Sequence, residues 1–482
     1  MLFDHDSCYQ ALLTHDTRFD GVIFVGVTTT GIYCRPVCPA RTPRRERCRF
    51  YGTAAAAESE GFRPCLRCRP ELAPGNALVD AAARIAGSAA ARIEAGALNE
   101  ASVEELAREF DLSSRQLRRV MKSALGVTPM ELAQTQRLLL AKRLLTDSSL
   151  PATEVAFASG FSSVRQFNAV FHERYGLRPM DLRRRPELPR ETQSLTVDLA
   201  YRPPFDWPSM VEFLSGRAIP GIEKIEAGRY LRTVAIGEHR GWIEAFPAPE
   251  KDALRLNVSL SLSRAMLPLL NRVRSLFDLD AHPRRIEAHL ARDARLKPLV
   301  ESRPGLRVPG AFDPFEMMVR AVLGQQVSVR AATTLAGRLA RAFSEPVETP
   351  HDGLTLLPAR ADRLAGASLE DMTSLGLTKS RAHCLLMLAR AVHKGQFPMQ
   401  AGAAVTNIDA TIERMKMLPG IGEWTAQYIA MRALRWPDAF PAADLGVRKA
   451  LGFPTVKQTL EMAESWRPWR AYAVFHLWKT LG

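Results

Sequence analysis

Four of the seven cysteines stand as two close pairs, Cys34-x3-Cys38 and Cys65-x2-Cys68. No other feature of the sequence limits the fold as tightly. Two short pairs joined by a loop let a few dozen residues surround a tetrahedral ion, and four thiolates select zinc. Six cysteines precede residue 70 and the rest of the chain holds only Cys384, which argues against a disulfide framework. Cys8 and Cys48 fall outside the pairs and are expected to be small, partly buried thiols. Arg41, Arg44, Arg45, Arg47 and Arg49 follow the first pair. A thiolate in such electropositive surroundings is a reactive nucleophile, a metal ligand, or both. From spacing alone, a structural zinc ribbon and a reactive site are both open.

A chain of 482 residues exceeds one ordinary core, so several domains are expected. Lysine and arginine number 65 against 51 acidic residues, a net charge of +14, which makes nucleic acid the first partner to consider, ahead of an acidic membrane. The opening "MLFDHDSCYQ" has no apolar signal core, and no apolar run is long enough to cross a bilayer; a cytoplasmic protein follows as the expectation. Composition shifts near residues 75, 190 and 300. A Cys/Arg-rich segment gives way to helical stretches, then "RRRPELPRETQS" at 183–194 reads as a linker. Alternation in "SLTVDLAY", "YLRTVAIG" and "LRLNVSLSL" predicts antiparallel strands, and helices follow to the end.

One repeat lies in the helical part. "LSSRQLRRVMKSALGVTPMEL" recurs as "FSSVRQFNAVFHERYGLRPMDL": Arg115-Gln116 returns as Arg165-Gln166, Gly126 as Gly176 and Pro129 as Pro179. Each copy follows a short helix, and Ser113 with Gln116, like Ser163 with Gln166, offers a cap to the second. Two helix-turn-helix units joined by "MELAQTQRLLLAKRLL" are expected. The arrangement resembles the DNA-binding domain of AraC-type regulators. Arg115, Arg118, Arg119 and Lys122 lie on one candidate recognition helix, and Arg165, Gln166, Asn168 and His172 on the other. Such side chains suit base edges, and equally phosphate.

The words around the cysteines, "FDGVIFVGVTTTGIYCRPVCPARTP" and "AAAAESEGFRPCLRCRPE", resemble the zinc domain of the Ada family. That resemblance implies transfer of a methyl group from DNA methylphosphotriesters to Cys34, with Cys38, Cys65 and Cys68 as the other zinc ligands. Arg45 and its neighbours would hold the DNA backbone.

Near the other end, "LPGIGEWTAQYIAMRAL" puts a glycine hairpin before a helix. Its amides, at Gly420 and Gly422, suit a phosphate, and its carbonyls a monovalent cation. "FPAADLGVRKAL" then sets Asp444 before another helix. The pairing resembles helix-hairpin-helix DNA glycosylases, and the stretch from about 195 to 482 is similar to the AlkA-type alkylbase glycosylases. By that resemblance Asp444 is the catalytic carboxylate, while Phe213, Trp424, Tyr428 and Trp478 line the base pocket. Each aromatic could equally be core, and Asp444 an N-cap. Trp424 occupies the place of the Schiff-base lysine of the lyase members, implying hydrolysis without strand cleavage. Gln326 stands where an apolar wedge would be expected.

The expected fold is multidomain and mainly α with α+β parts: a zinc domain (1–75), a double helix-turn-helix domain (76–188), an α/β domain with an antiparallel sheet (189–300) and an all-helical helix-hairpin-helix domain (301–482). The implied function is alkylation repair by base excision and suicidal methyl transfer, coupled to methylation-dependent transcription control. One zinc ion, double-stranded DNA, RNA polymerase at regulated promoters, no membrane and a monomeric state complete the expectation. A damage-sensing regulator without glycosylase activity is the alternative. A guanine-O6 methyltransferase is rejected, because no Pro-Cys-His-Arg motif occurs and Cys384 sits in "RAHCLLM".

Overall fold

The computed structural model describes residues 5–15, 19–20, 23–70, 81–148, 150–183, 194–397 and 408–481. The expected boundaries at 75/76 and 188/189, and the linker between Arg183 and Ser194, lie outside the described residues. The chain forms two compact units, one of residues 1–90 with 103–129, the other of 91–102 with 130–482.

In the first unit a four-stranded sheet has the order β3-β1-β2-β4, with β1 Phe24–Val27, β2 Ile32–Cys34, β3 Cys48–Tyr51 and β4 Arg63–Pro64. The pairing of β2 with β4 is parallel, Ile32 opposite Arg63 and Tyr33 opposite Pro64. A parallel pair needs a crossover, and residues 35–62 supply it. Cys34, the last residue of β2, and Cys65, just past β4, are thereby delivered side by side.

The first helix-turn-helix comprises the Val103–Arg108 and Ser114–Leu125 helices. Ser113 caps the second helix through the Gln116 amide, and the Gln116 side chain returns to the Ser113 amide at 2.9 Å, closing the capping box. Leu117 and Met121 are buried, so Arg115, Arg118, Arg119 and Lys122 face out.

The second copy, Ala152–Ala158 and Val164–Tyr175, lies in the other unit. Ser163 still caps the Gln166 amide, but the Gln166 side chain turns to Ser162 instead (3.2 Å to its amide), leaving the box open. Its buried face is larger: Phe167 and Phe171 have no solvent exposure, each worth about 1.5–3 kcal/mol of burial. Those rings belong to one continuous core with the neighbouring β-sheet. Arg165, Gln166, Asn168 and His172 remain exposed.

That sheet has five antiparallel strands in the order β5-β9-β8-β7-β6. They are β5 Ser194–Ala200, β6 Glu223–Glu226, β7 Arg229–Ile236, β8 His239–Pro247 and β9 Ala253–Ser259. The alternation in β5, with Leu195, Val197 and Leu199 buried, is the half-covered pattern expected from sequence. Strand β7 is buried on both faces because the helical region covers the second. A buried ion quartet stitches sheet to helices: Arg232 donates to Glu316 at 2.8 Å, and Arg320 pairs with Glu316 (3.1 Å) and Glu223. From Met266 onward the chain is helical around its own core. No described helix is long and apolar enough to cross a membrane.

Candidate functional site

The four sulfurs of Cys34, Cys38, Cys65 and Cys68 lie within 4.8 Å of one another. A tetrahedron of zinc–sulfur bonds has edges of about 3.8 Å, so a zinc ion fits. Hydrogen bonding to Cys38 and then Cys68, with burial, pushes the Cys34 thiol far above its ordinary value. The bond with Cys34 meanwhile draws Cys38 down to about 2. A divalent cation is what would let all four sulfurs carry a charge at once. Cys38, Cys65 and Cys68 are buried, and Cys34 alone of the four is partly exposed.

Sequence reasoning missed the residue that braces this cluster. Arg35 is fully buried, its guanidinium paired with Asp20 and its amide donating to the Cys68 sulfur at 3.4 Å. Nothing in the local spacing singles it out among so many arginines. Arg45 is exposed and paired with Asp6. Cys8 and Cys48 are buried together in a separate apolar cluster, where burial pushes Cys48 up to about 11.

In the second unit, the chain stretch ahead of the Leu445–Ala450 helix presents Asp444 as its N-cap, Oδ1 accepting from the Val447 amide at 2.9 Å. The same carboxylate accepts an indole N–H on each oxygen, from Trp424 to Oδ2 and from Trp478 to Oδ1, both at 2.8 Å. Cap and candidate reactive group are therefore one side chain. Gly446 makes room for this: a Cβ there would stand 3.0 Å from Trp478 Cδ1 and 3.1 Å from Asp444 Oδ1.

Asp444 borders a cavity of about 510 Å³, within the range of small-molecule sites. All four expected aromatics line it. Trp424 and Tyr428, one turn apart on the Glu423–Arg432 helix, stack at 5.2 Å and 9°. They form one continuous wall, too close to admit a base between them. The aromatic lining continues from Tyr428 to Trp478 at 6.3 Å, from Trp478 to Phe475 at 5.0 Å and from Phe475 to Phe213 at 5.1 Å. Arginines enter as well, unforeseen from sequence. The Arg217 guanidinium covers the Phe213 ring at 3.7 Å, and Arg432 donates to the Tyr428 hydroxyl at 3.0 Å. Burial, and then the nearby Arg217 and Arg320, pull Arg432 down to about 10. Phe213 and Arg217 share a face by helical spacing, the one signal that could have found the pair.

The hairpin is built as expected. Gly420 sits at φ +89°, and a Cβ there would fall 2.9 Å from that of Cys384, so both conformation and space demand glycine. Gly422 caps the Glu423–Arg432 helix without a side chain. Gln325 clamps the turn, donating to the Gly420 carbonyl (2.8 Å) and the Thr425 hydroxyl (3.0 Å). Gln326 follows, exposed, at φ +53°. Cys384 is helix core.

Four family models match the chain: the metal binding domain of Ada at residues 7–71, a helix-turn-helix domain at 106–185, the AlkA N-terminal domain at 196–313 and the HhH-GPD superfamily of base excision DNA repair proteins at 319–463. A probable bifunctional transcriptional activator/DNA repair enzyme AlkA of Mycobacterium tuberculosis is 38% identical across 99% of this chain and 97% of its own. DNA-3-methyladenine glycosylase 2 of Escherichia coli is 35% identical, covering 59% of this chain and 97% of its own. The Escherichia coli bifunctional transcriptional activator/DNA repair enzyme Ada is 38% identical over 29% of this chain and 37% of its own.

Proposed function

The chain belongs to the family of fused transcriptional activators and DNA repair enzymes represented by its full-length mycobacterial relative, and from that membership we propose a protein that repairs alkylated DNA by two separate chemistries. It excises alkylated bases of the 3-methyladenine and 7-methylguanine type by hydrolysis, and it takes methyl groups from DNA methylphosphotriesters onto Cys34. The observation that carries the first is Asp444, held by two indoles at the mouth of an aromatic cavity.

In excision, the flipped base enters the cavity against the Trp424–Tyr428 wall. The glycosidic bond breaks with its electron pair going to the base. Alkylation has made that base cationic, so little acid catalysis is needed. A water oxygen then bonds to the sugar carbon and its proton passes to Asp444. Three of about four acceptor positions on the carboxylate are filled by N–H donors, which leaves one directed to sugar or water. Strand cleavage by an amine is not part of the proposal. Among the described residues along the cavity, lysine occurs only as Lys479, which is tied to Glu212 at 2.6 Å.

In methyl transfer, the Cys34 sulfur forms a bond to the methyl carbon as the carbon–oxygen bond breaks, and the electron pair stays on the phosphate, restoring a diester. Cys34, Cys38, Cys65 and Cys68 would hold the zinc ion, which would keep their sulfurs deprotonated at neutral pH. The partial exposure of Cys34 alone supports its choice as acceptor. Four thiolates and one Zn²⁺ sum to −2 and methylation leaves −1, so repulsion of DNA phosphate falls. The methylated form then binds its promoter more tightly and recruits RNA polymerase. Equal promoter affinity of the two forms at fixed salt would end this switch proposal.

DNA is contacted by Arg45, by Arg115, Arg119, Arg165 and Gln166, and by the amides at Gly420 and Gly422. A monovalent cation binds at hairpin carbonyls other than the Gly420 carbonyl that Gln325 occupies. The protein works as a monomer in the cytoplasm on double-stranded DNA, with domains as expected from sequence. One experiment tests both chemistries: incubate with methylated duplex, then measure released bases and the mass of the Cys34 peptide. Release of 3-methyladenine or 7-methylguanine with a methyl increment on Cys34 is expected. Methyl transfer without any base release would leave a damage-sensing regulator.

A further inference from the structure

The cavity that borders Asp444 has an uneven supply of hydrogen-bond partners. Four carboxylates besides Asp444 reach it, from Glu212, Glu223, Glu316 and Asp313, and Glu212 is paired with Lys479 at 2.6 Å. Each is already engaged by the protein. Glu223 accepts from the Tyr230 hydroxyl (2.5 Å), the Ile219 amide (3.2 Å) and Arg320. Glu316 accepts from Arg232 and Arg320, and Asp313 from the Glu316 amide (3.0 Å) and Arg272. The donors are less committed. Arg217, with five N–H donors, gives one to the Phe213 carbonyl at 3.2 Å and another to the Tyr428 oxygen, which leaves the others uncommitted. The Tyr428 oxygen receives a donor from Arg432, which turns its own O–H toward other acceptors. Burial holds Arg217 below its ordinary basicity, a sign that its charge is poorly solvated here.

A pocket rich in donors and short of acceptors reads one kind of base edge. We propose that Arg217, with the Tyr428 hydroxyl, selects damaged purines that present a carbonyl edge over those that present an amino edge. In 7-methylguanine the methyl group occupies N7, so the acceptor left on that edge is the O6 carbonyl, whereas the exocyclic amine of 3-methyladenine offers only donors on that group. Facing the guanidinium, the amine meets a donor and a like charge. A carbonyl oxygen gains a charge-assisted hydrogen bond and offsets part of the repulsion between guanidinium and cationic base. Arg217 is then a specificity residue for the excision proposed above, and the inference rests on that reading.

The test uses the full-length protein and one methylated duplex preparation containing both 7-methylguanine and 3-methyladenine. Single-turnover release of each base is followed in wild type, Arg217→Ala, Arg217→Lys and Tyr428→Phe. Loss of a charge-assisted hydrogen bond predicts that Arg217→Ala lowers the ratio of 7-methylguanine to 3-methyladenine release by roughly 10- to 100-fold. Arg217→Lys, still a cationic donor, should recover part of the ratio, and Tyr428→Phe should lower it severalfold. Equal losses on both bases would mean that Arg217 merely supports Phe213, and would overturn the inference. Titrating the free bases 7-methylguanine and 3-methyladenine against tryptophan fluorescence separates this from the activity itself. A wild-type preference for free 7-methylguanine that vanishes in Arg217→Ala sustains the carbonyl-reading pocket even if no base is released from DNA. Absence of that preference in wild type overturns it.

Discussion

The two candidate reaction centres solve opposite assembly problems. The sulfur cluster gathers its four groups from one short domain, through two knuckles and a single parallel strand pair. The carboxylate centre draws Phe213, Trp424, Tyr428, Asp444 and Trp478 from across the second unit, and none of them is held without the surrounding core. Local spacing is enough to build the first. The second exists only after a sheet and many helices have packed.

If the centres are chemically independent, Cys34→Ser should abolish the methyl increment on the Cys34 peptide while base release from the same duplex continues at the wild-type rate. A parallel collapse of base release would break the comparison. The reverse variant, Asp444→Asn, should lower single-turnover base release by about 10²- to 10⁴-fold and leave methyl transfer intact. Sequence alone suggests that asparagine would keep stability, since it caps as well as aspartate. The structure corrects this. Both carboxylate oxygens accept N–H groups, so an amide nitrogen would face a donor, and a loss of about 1–3 kcal/mol in urea unfolding is expected.

The dependence of the second centre on its fold has a pH signature. His476, on the helix that carries Trp478, is buried and its ring is pulled down to about 4, chiefly by that burial. The unfolded chain takes up the proton first, near pH 6.5. Stability from this group is therefore full above that pH and is lost as pH falls from 6.5 to 4, by about 3 kcal/mol in total. Urea titrations of tryptophan fluorescence across that window check it; an unchanged midpoint in His476→Gln, relative to its own pH 7 value, is the matching control. A smaller effect belongs to Trp478→Phe, which keeps the ring and removes one donor to Asp444 Oδ1. Base release should fall by about tenfold, with methyl transfer unaffected.

How much of this could be read in advance differs by element. The cysteine spacing, the repeated helix-turn-helix with its glycine ends, and the strands β5, β7 and β9 follow from short-range rules, and all appear in the structure, although only β5 keeps a clean alternation of buried and exposed residues. Asp444 and the four aromatics were reached through resemblance, and the structure brings them to one cavity. The paired indoles on Asp444, the Arg35–Asp20 brace, Gln325 on the hairpin and Arg217 over Phe213 were not legible. All but the last join groups whose separation along the chain carries no periodic signal, and the four-residue spacing of Phe213 and Arg217 does not say that both face a cavity.

The repeat makes the same point within a single motif. By itself the sequence determined that both copies form a short helix, a turn and a serine-capped recognition helix, because those signals act over three or four residues. Tertiary structure alone decided that the first closes its capping box while the second gives its aromatic face to the core of a neighbouring sheet. It likewise decided that Asp444 is at once a cap and an acceptor for two indoles. Burial and long-range hydrogen bonding depend on which surfaces meet, and no local pattern of residues specifies that meeting.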